Sequence, residues 1–299
     1  MGEVGSDAFE IVHPTSVPRR EGVMGRFCCD TERMFWTESA RDVVEVAGPD
    51  AASYLQSQVS NDLRGVAVEA SVWAFLLQPT GKIDVLVRIW RRADDAFVLD
   101  TDAGFGEAMI ARLNRFKIRV KAEITPLDWR CIAVRGAAAA GDGAASADDA
   151  EDAEDADDAG ADGQLVAWGG GADLLGPDVV APAGVDPGSA ADLLAARIEA
   201  GWPALGAEIV SGETIPGETG ITGAAVSFTK GCYPGQELIE RMDSRDASAP
   251  RLVQVVDVAV GTAVGDPLLR DGAVIGTVTS VAGTRALALV KRSALRPGP

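Results

Sequence analysis

The sequence predicts an α+β fold that closes with an all-β module, and three observations carry that expectation. Helical and strand periodicities alternate through most of the chain. Two apolar strand-like runs flank a Gln78-Pro79-Thr80-Gly81 turn signal, which makes a hairpin. Roughly the last fifty residues lose the helical period and hold only short alternating runs between Gly and Pro, the pattern of a small antiparallel β-barrel.

Residues 1–34 read as a leader with Pro14, Pro18 and turn formers. Asp42-Val43-Val44-Glu45-Val46 is strand-like and stops at Gly48-Pro49. Pro49 suits a first helical position, after which Ala51, Tyr54, Leu55 and Val59 recur at helical spacing. Strands follow at 71–77, 83–90 and 96–100. A helix over 104–116 places Phe105, Met109, Ile110 and Leu113 on one face. Residues 118–125 return to extended structure, and Cys131-Ile132-Ala133-Val134 is a further strand. Order resumes at Leu165-Val166-Ala167-Trp168, and a helix over 190–200 stops at Gly201. The run Glu237-Leu238-Ile239-Glu240-Arg241-Met242 is helical, and 251–258, 273–280 and 287–290 are the barrel strands. The expected organisation is a leader over 1–40, an α+β region of two interleaved subdomains over 41–245, and the barrel over 246–299.

Charge is unevenly spread. The formal net charge is −18, yet eight Asp and two Glu lie between Gly136 and Gly163 with no Lys or Arg. That stretch is nearly all Ala, Asp, Gly and Glu, too poor in apolar surface to offset its ordering entropy, and reads as a disordered insert over 136–163. The remainder carries about −8, which argues against direct nucleic-acid binding. Arg88, Arg91, Arg92, Arg112, Arg115, Lys117, Arg119 and Lys121 leave room for a local basic groove. No apolar run reaches the roughly 18 residues of a membrane span, and the acidic N-terminus lacks the features of a secretory signal. The four cysteines form no CxxC pair, so a reducing cytoplasm fits best and no metal site is expected. His13 is the only histidine, which excludes multi-histidine metal sites.

Cys232 is the most informative position. Between Lys230-Gly231 and Pro234-Gly235 it sits in a turn, where a thiol next to an ammonium group gains nucleophilic character. The residues alone leave open a small buried cysteine in a turn shaped by its glycines.

Lys230-Gly231-Cys232-Tyr233-Pro234-Gly235-Gln236-Glu237 closely resembles the signature of the YgfZ family, which shares its fold with the T-protein of the glycine cleavage system. Tyr54-Leu55-Gln56-Ser57-Gln58-Val59-Ser60-Asn61-Asp62, Leu77-Gln78-Pro79-Thr80-Gly81-Lys82-Ile83, Arg197-Ile198-Glu199-Ala200-Gly201-Trp202-Pro203 and Gly276-Thr277-Val278-Thr279-Ser280 are similar to other family segments. The resemblance implies a T-protein-like, folate-binding region that takes tetrahydrofolate or a one-carbon derivative. It also implies service to iron–sulfur client or assembly proteins. Carried over by position, Cys232 is the acting residue, with Lys230 and Tyr233 shaping its site. Glu199 matches the carboxylate that recognises the pterin, since a carboxylate accepts two parallel hydrogen bonds from its N–H donors. Asp84 falls where T-proteins carry their catalytic aspartate, and Arg197, Asn61 and Asp84 complete the implied folate contacts. T-proteins usually have aspartate–phenylalanine where this chain has Cys232-Tyr233, which favours the YgfZ branch over aminomethyl transfer. A non-enzymatic folate-binding scaffold that affects tRNA modification indirectly is the other alternative.

Overall fold

A computed structural model describes residues 34–136, 163–165, 168–244 and 249–295. The expected leader up to residue 33 and nearly all of the acidic insert lie outside the described residues. In chain order the first elements are β1 (Phe35–Glu38), β2 (Arg41–Ala47), α1 (Ala51–Gln58), β3 (Ser71–Leu77), β4 (Ile83–Arg91) and β5 (Ala96–Asp102). Then come α2 (Gly106–Phe116), β6 (Glu123–Leu127), β7 (Arg130–Arg135), β8 (Gly163–Leu165), β9 (Ala172–Gly176), β10 (Asp186–Pro187) and α3 (Ala190–Glu199). After a 3-10 turn (Pro216–Glu218) follow α4 (Thr222–Ala225), α5 (Gln236–Ser244), β11 (Arg251–Asp257), β12 (Pro267–Arg270), β13 (Ala273–Ala282), β14 (Arg285–Lys291) and α6 (Arg292–Leu295).

Three sheets organise these elements. The first is antiparallel in the order β3-β4-β5-β2-β6. One face packs on α1 and α2 through Tyr54, Leu55, Met109 and Leu113. The other meets the second sheet through Val43, Trp90 and Val98 against Cys131 and Leu175. Burial on both faces is why β3 and β4 read as nearly unbroken apolar runs rather than alternating ones. The second sheet has the order β10-β1-β7-β9-β8, so Phe35–Glu38, counted above with the leader, is a strand of the fold.

The third sheet, β11-β14-β13-β12, differs from the expected barrel. It is open: β11 and β12 stand at opposite edges and do not pair with each other. β12 has four residues and a register break at Leu268/Leu269, leaving too short an edge to close on. Instead α3 covers one face through Ile198 and Leu194 against Val253 and Leu287.

Local chemistry accounts for the helix starts. Ser189 and Asp192 form a capping box at α3, and Gly201 follows it at φ +65°. At α2 the Asp42 carboxylate accepts the N–H groups of Gly104 and Gly106 at 2.8 and 2.7 Å. Pro49 lies just before the N-cap of α1 rather than inside the helix, and Asp50 is the cap residue. The extended segment expected from Ile118 begins as a strand only at Glu123, because Arg119 adopts φ +60° and keeps the preceding stretch a loop.

Candidate functional site

The two turn motifs singled out in the sequence lock into each other. Gly81 has φ +85°, and a Cβ there would lie 2.5 Å from the Cβ of Leu238. Gly235 has φ +84°, and a Cβ there would lie 2.5 Å from Gln78 O and 2.9 Å from Gly81 Cα. Each glycine therefore supplies both the left-handed backbone of its own turn and the clearance that the other segment occupies. Helix α5 leaves directly from this clasp at Gln236.

Within 230–233 the side chains divide between core and solvent. Lys230 is buried, and its Nζ donates to Gln56 O (2.7 Å), Val59 O (2.6 Å) and Asn61 O (2.8 Å). It thus caps the C-terminal end of α1, where carbonyls lack helical partners, and all three ammonium protons are used. Burial draws its pKa down to about 8. The sequence neighbour of Cys232 is therefore committed to backbone carbonyls rather than to the thiol. Tyr233 is buried with its ring 5.1 Å from Lys230 Nζ, and burial pushes its phenol up to about 12. Cys232, between these two anchors, is exposed.

The other free cysteine among the described residues, Cys131, is buried, and burial pushes its thiol up to about 12. Iodoacetamide on the native protein should therefore alkylate Cys232 and spare Cys131 until denaturant is added. Peptide mass spectrometry reads this directly, and native labelling of Cys131 would contradict the placement.

Asp84 sits on the hairpin that forms the clasp. Its carboxylate accepts from Gln78 Nε2 at 2.8 Å and lies 3.4 Å from Arg112 Nε, and its side chain is 20% exposed. Arg112 also donates to Leu77 O at 2.7 Å, tying α2 to the same turn. Asn61 is nearby but occupied: Nδ2 donates to Trp73 O and Ala224 O, each at 2.9 Å, and its Oδ1 accepts the N–H of Asp62. It joins β3 to α4.

Arg197 and Glu199 form a separate cluster at the end of α3. Arg197 donates to Trp202 O (2.8 Å), Glu208 Oε2 (2.8 Å) and Ser280 Oγ (2.6 Å). Glu208 is fully buried; burial works against its charge, but Arg197 and Ser280 hold its carboxyl below the usual range. Glu199 accepts two hydrogen bonds from Arg285, which also reaches Asp257, and its side chain is 44% exposed. Both residues face the C-terminal sheet. Among the described residues no hydrogen bond or ion pair joins them to the Cys232 turn.

Sequence reasoning missed a third cluster between the first two sheets. Asp102, Arg41, Asp100, Arg88, Asp173 and Arg135 form an alternating chain of ion pairs, with Arg41–Asp100 at 2.7 Å, Arg88–Asp100 at 2.8 Å, Arg88–Asp173 at 2.5 Å and Arg135–Asp173 at 2.7 Å. Arg88 lies 5.1 Å from the ring centre of Trp73, Trp202 lies 4.9 Å from Trp73, and Arg135 stacks 4.1 Å from Trp168. Trp73 Nε1 and Arg135 Nε are buried without a hydrogen-bond partner. A readable signal existed: Arg88 interrupts the apolar run Val85-Leu86-Val87-Arg88-Ile89-Trp90, and an arginine inside such a strand needs buried carboxylates. Among the described residues no group of three or more His, Cys, Asp or Glu is arranged to hold a metal ion, and no helix is long and apolar enough to cross a membrane.

No protein-family model matches the chain. It is 25% identical over 245 residues to a Haemophilus influenzae protein named only as uncharacterized, covering 80% of each. It is 29% identical over 225 residues to the tRNA-modifying protein YgfZ of Edwardsiella ictaluri, covering 69% of this chain and 65% of that one. It is 28% identical over 236 residues to a mitochondrial iron–sulfur cluster assembly factor IBA57 homolog of Pyricularia oryzae, covering 74% of this chain and 57% of that one. The chain thus spans less than two thirds of the latter two. The glycine cleavage system aminomethyltransferase T of Bartonella henselae has the same fold, with a TM-score of 0.65 at 20% identity over 88% of this chain and 80% of that one.

Proposed function

From its membership of the YgfZ family, with a T-protein-like fold, we propose that this chain is a tetrahydrofolate-binding accessory protein for iron–sulfur cluster assembly or repair, acting through Cys232. The observation that carries this reading is the clasp: two glycines lock the turn, Lys230 and Tyr233 anchor it, and the thiol is left facing solvent. A thiol held on a rigid, exposed turn suits transient contact with a cluster or client that brings its own ligands. The cluster is cargo in this reading, because among the described residues the other cysteine, Cys131, is buried and offers no second accessible thiolate.

The donor set suits a folate. Trp202, part-exposed against Trp73, offers aromatic surface, and Trp73 Nε1 and Arg135 Nε are donors without partners, whereas Arg41 and Arg88 are taken up by the buried ion chain. Of the contacts carried over by resemblance, Glu199 and Asp84 keep exposed carboxylate surface, whereas Arg197 and Asn61 are engaged in holding the protein together. Glu199 recognises the pterin in this reading, with Arg285 yielding one or both of its bonds. The second reading, folate-dependent aminomethyltransferase-like chemistry, has one observation in its favour. Asp84, at the position of the T-protein aspartate, lies on the hairpin that seats the Cys232 turn.

Calorimetric titration of tetrahydrofolate and maturation of an iron–sulfur client enzyme test these roles together. Cys232→Ala should bind tetrahydrofolate like wild type and fail in maturation; undiminished maturation removes the thiol from the function. Glu199→Gln should weaken tetrahydrofolate about tenfold or more through loss of charge-assisted bonds. No binding by wild type would remove the folate role, and unchanged binding by the variant would remove Glu199 from the site.

A further inference from the structure

The basic run noted in the sequence is mostly consumed by the fold. Arg88 is in the buried ion chain, Arg91 pairs with Asp94, Arg92 pairs with Glu69, and Arg112 bonds Leu77 and Gln58. The exception is residues 115–121. Arg115, Lys117, Arg119 and Lys121 have no carboxylate within 4.0 Å among the described residues. The Asp50 carboxylate, the acid that does meet this loop, accepts the backbone N–H of Lys121 at 2.7 Å. Glu123 follows the loop at the start of β6 and pairs with none of the four.

We propose that residues 115–121 dock an acidic face of a partner protein, with Ile118 as the apolar anchor among the four cations. Three features converge on this loop. Ile118 is 77% exposed and stands among the four cations. Arg119 adopts φ +60°, a left-handed conformation that disfavours a side chain of this kind and has to be held in place by its surroundings. Both ends of the loop are fixed: Tyr54 hydroxyl bonds Leu113 O and Arg112 stacks 4.2 Å over Phe116 on one side, while Asp50 N–H bonds Lys121 O at 3.2 Å on the other. The side chains are thus presented on a pre-organised loop, which lowers the ordering cost of association.

The chemistry selects a protein over other anions. Four cations are few for holding a nucleic-acid backbone, whose binding rests on neutralising many phosphates. One isoleucine is a weak membrane anchor. An apolar side chain ringed by charges does match the centre and rim of a protein interface, where the charges act at contact range and choose the partner.

A photo-crosslinking residue at position 118 (Ile118→p-benzoylphenylalanine) in the full chain, irradiated in cells, tests this. The expected product is an adduct with an acidic protein. Its yield should fall about tenfold or more when Lys117→Glu and Arg119→Glu are combined. It should recover when the contacted Asp or Glu residues of the captured protein are changed to Lys. Neither reversed side chain is buried, so thermal melting of the double variant should match wild type. The adduct should also form in a Cys232→Ala background, which separates docking from the thiol role. No adduct, an adduct with nucleic acid or lipid, or a yield indifferent to charge reversal would overturn the proposal.

Discussion

Gly235→Ala is expected to destabilise the protein by about 2–4 kcal/mol, combining left-handed backbone strain with overpacking. The added Cβ would sit 2.5 Å from Gln78 O and 2.9 Å from Gly81 Cα, and both are backbone atoms with no rotamer to yield. Relief therefore requires the two turns to separate, which displaces the start of α5 and the Cys232 turn together. Gly231→Ala is the matched control: its Cβ meets nothing within 4 Å, and its φ is not positive. A change within about 0.5 kcal/mol is expected there. Denaturant midpoints measure the stability difference, and the rate of iodoacetamide labelling reports on the Cys232 turn. Equal midpoints for the two variants would show that the clasp is not tight in solution.

These glycines also mark the limit of what the sequence could reveal. Both were legible as turn residues, and the strands expected over 71–77 and 83–90 were legible because apolar content and a turn signal agree. That the turns dock on each other was not, since each clearance belongs to a partner remote in sequence. Lys230 shows the same limit. Read along the chain it is a cation beside a thiol; in space its protons satisfy the end of α1. Glu199 was legible only as a residue at the end of a helix, and its partner Arg285 comes from the C-terminal sheet. β10, with two residues, and β12, with four, are too short to show a period, which also hid the open form of the last sheet. Arg88 was the opposite case, a signal in plain view whose partners Asp100 and Asp173 lie on other strands.

Breaking that ion chain should have the largest effect on the fold, with Asp173→Asn destabilising it by about 3–5 kcal/mol. Asp173 is the acid shared by Arg88 and Arg135, both nearly inaccessible to solvent. Its loss leaves Arg88 with Asp100, which is shared with Arg41, and leaves Arg135 with the carbonyls of Val134 and Ala172. The charges then no longer alternate, and water cannot reach the excess cation. The pH dependence follows in sign. Burial works against the Asp173 carboxylate, but Arg88 and Arg135 hold its pKa below the ordinary 3.8. A carboxyl depressed in the folded state contributes stability that is present above 3.8 and lost as pH falls through the folded value. Wild type should therefore lose stability steeply below that pH, whereas Asp173→Asn starts lower and shows a flatter acid limb. Denaturant melts at neutral pH and in acid check both parts. A neutral-pH loss under about 1 kcal/mol would mean that solvent reaches these arginines and that the two sheets are not sealed around them.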